Sequence, residues 1–83
     1  MEEVFQTVKD YKEYLKSMIV ILECTLIITI TLCKEPEESE YIRNTKILQS
    51  RYKYYFNKVF RKRDIAKIDK ELLDLDKYYF GDF

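Results

Sequence analysis

A single proline and a single glycine are all that interrupt this chain of 83 residues. These two residue types are the strongest local breakers of regular structure, and here they stand at Pro36, near the middle, and Gly81, near the end. Everything between them is free to run on, so few, long elements are expected. With only this length, the elements share one hydrophobic core, and residues 1 to 83 read as a single domain.

The element type follows from spacing. Val4, Val8, Tyr11, Leu15, Met18 and Leu22 recur at intervals of three and four, which aligns them along one stripe of a helix. Beyond Glu23 the character changes. Thr25 to Cys33 is rich in β-branched residues, and Ile28, Ile30 and Leu32 alternate with Thr29 and Thr31 as in a strand. No turn signal separates this stretch from the first helix, and a lone strand would find no pairing partner in so short a chain, so one helix to about Cys33 is the better reading. Pro36 disfavours helix at Glu35 but fits the first turn of a new one, where Glu37, Glu38 and Glu40 complement the macrodipole. On a wheel, Tyr41, Leu48, Tyr52, Tyr55, Phe56, Val59 and Phe60 gather on one side of this second helix, which is expected to end near Arg61 to Arg63. Asp64 is placed to cap a third helix carrying Ile65, Ile68, Leu72, Leu75 and Tyr79 inward, with Gly81 stopping it. The fold class is therefore all-α: a long antiparallel helical hairpin with a shorter third helix, a three-helix bundle.

Net charge is zero, but its distribution is not even. Residues 1 to 42 hold nine acids and four bases, residues 43 to 63 hold eight bases and no acid, and residues 64 to 83 hold six acids and three bases. A concentrated cationic segment attracts phosphate or carboxylate surfaces whatever the total charge. On the second helix Arg43, Arg51, Lys58 and Arg61 oppose the apolar side, and Lys46, Lys53 and Lys62 flank them. Tyr54 falls in the middle of this face with Ile47 beside it, where an exposed ring can stack on a base or enter a protein pocket. These nine residues form the candidate partner-binding face, toward nucleic acid or an acidic protein surface. The plain alternative is a solvated stripe balanced by neighbouring acids.

Catalysis has little to stand on. The chain has no histidine to act as base or metal ligand, one glycine is too few for a phosphate loop, and two cysteines without imidazole make no zinc site. No cofactor or metal is expected, and the protein reads as a non-catalytic binder. Cys24 and Cys33 lie on opposite helical faces about 13 Å apart, too far to pair, and are expected to be buried thiols in a reducing, cytoplasmic setting. Scarce Ala and Gly beside abundant Lys, Ile and Tyr suit an AT-rich coding sequence of the sort small phage genes have, and with it an inhibitor that blocks an interaction.

Met18 to Cys33 supports a competing reading. These sixteen residues fall a little short of the twenty or so that span a bilayer, and Glu23 inside them would be costly there, so a small single-pass membrane protein is the alternative. A three-helix monomer rarely buries a helix on all sides, so homo-oligomerisation through residues 18 to 33 is the preferred resolution.

Overall fold

The computed structural model describes residues 7–81. Three helices follow one another, α1 (Val8–Leu32), α2 (Glu40–Asn57) and α3 (Ile65–Phe80), with short 3-10 turns at Pro36–Glu38 and Lys62–Asp64 and no strand among the described residues. The stretch that alternates like a strand is helical to Leu32. Its threonines explain how: Thr25, Thr29 and Thr31 each turn the hydroxyl back onto the carbonyl four residues earlier (2.9, 2.7 and 2.7 Å), so no polar group is left asking for a partner. The expected contribution of Val4 to the stripe lies outside the described residues. Within them, Thr7 caps α1 by accepting from the Asp10 amide at 3.0 Å, and Ser39 caps α2 by accepting from Ile42 at 3.2 Å. Gly81, at φ 82°, closes α3 in a conformation that favours glycine.

α2 returns antiparallel along α1, and α3 runs back along α2. The core is built by all three: Tyr11 and Leu15 from α1, Leu48, Tyr52 and Tyr55 from α2, Ile65, Ile68 and Leu72 from α3. Each such side chain is worth roughly 1.5–3 kcal/mol of burial. Two partners are polar. The Tyr11 hydroxyl, fully buried, donates to Asp69 Oδ1 at 3.1 Å, and Gln49, nearly buried, donates from Nε2 to the Ile19 carbonyl (3.1 Å) and to Glu23 Oε1 (3.0 Å). Burial, then the charge of Asp69, pushes the Tyr11 phenol far above its ordinary value.

Five details of the sequence reading need correction. The second helix ends at Asn57, not at Arg61 to Arg63, because Lys12 Nζ donates to the carbonyls of Phe56 and Lys58, both at 2.8 Å, and the chain turns extended at Lys58. Leaving the helix there returns Phe60 to the core edge, where its ring meets Tyr11 edge-on at 6.2 Å. Val59, expected inward, consequently points out and is 92% exposed. Tyr41, also expected inward, is about half exposed and packs its ring against Phe80 at 5.4 Å. Asp64 spends its carboxylate on the Arg61 amide (3.1 Å), capping the 3-10 turn rather than α3 itself. Finally, Cys24 is exposed and Cys33 half-buried, because α1 buries only one side.

By length and composition α1 is apolar enough to cross a membrane, and only 11% of its most apolar stretch is buried. The outward side of its second half is open.

Candidate nucleic-acid interface

The side of α2 turned away from the core carries Arg43, Lys46, Ile47, Ser50, Lys53, Tyr54 and Asn57, all but the apolar pair polar and all exposed. The helical repeat explains this: the inward positions are taken by Ile42, Thr45, Leu48, Gln49, Tyr52 and Tyr55, which leaves the intervening positions for solvent. All nine residues singled out from the sequence are exposed, but they do not form one helical face. Arg43, Lys46, Ile47, Arg51, Lys53 and Tyr54 lie on α2. Lys58 is its C-terminal cap, Arg61 stands in the extended connection and Lys62 opens the following 3-10 turn, a consequence of the early helix end.

On α2 itself the cations fall into two groups. Arg51 is engaged: its Nε lies 3.0 Å from Glu71 Oε2, the oxygen that also accepts from the Tyr55 hydroxyl at 2.7 Å. The hydrogen bond from Tyr55, and then that from Arg51, holds the Glu71 carboxyl below its usual range, and the Glu71 contact holds the Arg51 guanidinium firmly charged. The same guanidinium lies over the rings of Tyr54 (5.0 Å) and Tyr55 (5.4 Å), and Lys58 Nζ approaches the same rings at 5.4 and 5.8 Å. Tyr54 is thus held between two cations and against the edge of Tyr55, with centroids 5.1 Å apart. The other group, Arg43, Lys46 and Lys53, makes no ion pair with a carboxylate among the described residues. From Arg43 to Lys53 this group spans about 15 Å of helix axis.

Two participants escaped the sequence reading. Glu71 anchors Arg51 from another helix, and nothing short of the tertiary pairing of α2 with α3 would disclose that. Arg63, exposed beside Lys62, belongs to the same basic run but is not among the nine residues of the expected face. Among the described residues no group of three or more Cys, Asp and Glu is arranged to hold a metal ion.

No family model, no curated protein and no solved structure matches this chain.

Proposed function

We propose that this is a small, non-catalytic binding protein whose outward α2 face takes the phosphate backbone of a nucleic acid. The observation that carries this reading is the set Arg43, Lys46 and Lys53, three exposed cations on one side of one helix with no carboxylate of the described residues paired to them. A solvated stripe balanced from within would have partners, as Arg51 has in Glu71. Lys58, Arg61 and Arg63 extend the positive surface past the helix end. Tyr54 serves less as a stacking platform than the sequence suggests, because Arg51 and Lys58 already lie over it; it stiffens two long side chains instead. Contact of this kind is directed at backbone charge and is largely indifferent to base sequence.

The packing of the hairpin weighs against a membrane-spanning α1. Gln49 binds α2 alongside the apolar stretch at Ile19 and Glu23, so a bilayer around α1 would also enclose Arg43 and Lys46, at roughly 2.5–3.5 kcal/mol for a charge near mid-membrane.

The test is binding of labelled single- and double-stranded oligonucleotides across a salt series. Affinity should fall steeply with salt, and Arg43→Ala/Lys46→Ala/Lys53→Ala together should weaken binding evenly across sequences and flatten the salt slope by up to about three, with helix content unchanged. Absence of nucleic-acid binding by the intact chain would refute this reading, and binding only to acidic proteins would point to the other polyanion class.

A further inference from the structure

The outward side of α1 changes character partway along. In its first half this side presents Lys9, Asp10, Glu13, Lys16 and Ser17, all exposed; in its second half it presents Val20, Ile21, Cys24, Ile27, Ile28 and Thr31, equally exposed. Val20, Ile21, Ile27 and Ile28 are each more than half accessible. The hydroxyl of Thr31 is turned back onto Ile27, and Glu23, at the border of the strip, is engaged by Gln49. The result is an uncharged surface about 17 Å long, unusual on a monomeric soluble protein.

We infer that this strip is covered by the same strip of a second copy, antiparallel across a two-fold axis between Cys24 and Ile27. Three observations select that occupant. Val20, Cys24, Ile27 and Thr31 are spaced by four, three and four, the seam that meets another helix in knobs-into-holes packing, flanked by Ile21 and Ile28 seven apart. A self-complementary face on both copies is what a two-fold dimer requires. The ends then fix direction. Parallel copies would set the two Lys34–Glu40 turns, each with four glutamates against one lysine, side by side, whereas antiparallel copies bring Lys16 of each level with the acidic turn of the other. In that register Val20 faces Thr31 and Cys24 faces Ile27 of the second copy. A bilayer suits the strip less well: it contains no aromatic residue, and Lys16 and Lys34, which bracket it, stand among Glu13, Glu23 and Glu35 and form no basic rim.

The decisive measurement is mass in solution, by sedimentation at micromolar to hundred-micromolar protein without detergent. The intact chain should have twice the monomer mass, and Val20→Glu/Ile27→Lys should return it to the monomer mass while keeping its helical signal, since both positions face solvent within one copy. Ile27→Cys tests the register, because the new thiol should join Cys24 of the second copy on mild oxidation, whereas Lys16→Cys should not crosslink this way. A chain that stays monomeric at the highest concentration overturns the proposal. Flotation of a monomer with phosphatidylcholine vesicles overturns it in favour of lipid. These readouts do not involve nucleic acid, so they stand or fall apart from the basic face.

Discussion

Gln49 on α2 reaches the carboxylate of Glu23 and the backbone carbonyl of Ile19 on α1 with the same amide nitrogen, at 3.0 and 3.1 Å. Together with the bonds from Lys12 to the carbonyls of Phe56 and Lys58, it sets how far along α1 the second helix lies. Gln49 is 5% exposed, whereas Glu23 faces solvent, so the buried partner is the one that cannot be lost cheaply. Gln49→Ala should cost about 1–3 kcal/mol in urea unfolding, from lost packing and lost hydrogen bonds together. Gln49→Leu, which restores volume without the amide, should cost much less, because Glu23 can turn to water. Equal losses in the two variants would show that the amide bonds, not the filled space, secure the contact.

Tyr11 separates a polar contribution from an apolar one at the other end of the bundle. Tyr11→Phe keeps the ring against Phe60 and removes the hydroxyl that donates to Asp69, for an expected loss of about 1 kcal/mol. Leu15→Ala, at a site with no exposure, should cost about 2–5 kcal/mol. Thermal or denaturant unfolding of both variants against the parent gives the ranking, and a Tyr11→Phe loss above that of Leu15→Ala would contradict it.

Alkali should unfold this protein cooperatively. Burial, first of all, holds the phenols of Tyr11 and Tyr52 protonated well above their unfolded value, with Asp69 adding to it for Tyr11 and Tyr14 for Tyr52. A pKa raised by folding stabilises below the unfolded value, about 10 for tyrosine, and that stability is lost as pH climbs past it. Circular dichroism and tyrosinate absorbance, followed together above pH 10, should show buried-phenol ionisation coinciding with loss of helix. Ionisation of every tyrosine with the helices intact would contradict the burial of these two.

At the acid end the sign reverses. The Glu71 carboxyl is lowered by the hydrogen bond from Tyr55 and then by Arg51, so its contribution is present above the unfolded value, about 4.3, and fades as pH falls below that. Because the pair is more than two-fifths exposed, the contribution is under about 1 kcal/mol. Glu71→Gln should flatten the decline in stability between pH 5 and pH 3. It should also release Arg51 to the α2 face, tightening nucleic-acid binding and steepening its salt dependence by about one. Binding unchanged by Glu71→Gln would mean that Arg51 takes no part.

How much of this was legible in the residues depends on which neighbours each argument needed. The three helices, the breaks at Pro36 and Gly81 and the stripe Tyr11, Leu15, Met18, Leu22 rest on local spacing, and local spacing is what a sequence displays. The end of α2 rests on Lys12, more than forty positions away, reaching two carbonyls that no pattern around Asn57 betrays. The wheel therefore ran one turn too far and assigned Val59 to the core. For the basic face, exposure was readable at Arg43, Lys46 and Lys53 because they interleave with large apolar residues. The tie of Arg51 to Glu71 was not, since it exists only where α3 lies beside α2. Thr45 and Gln49, both buried, were hidden by their polarity; each is tolerated because it has a partner close at hand.

The opening turns of α1 find their partners late in the chain. Tyr11 waits for Asp69, 58 positions on, and Lys12 for carbonyls 44 and 46 positions on. A nascent chain emerging from the ribosome can form α1 and α2 and zip the hairpin, but the tyrosine-lined end stays open until the last helix is out of the exit tunnel. Completion of the core therefore waits for α3, and a chain cut short ahead of Asp69 should be cleared by proteases instead of surviving as a shortened, working version.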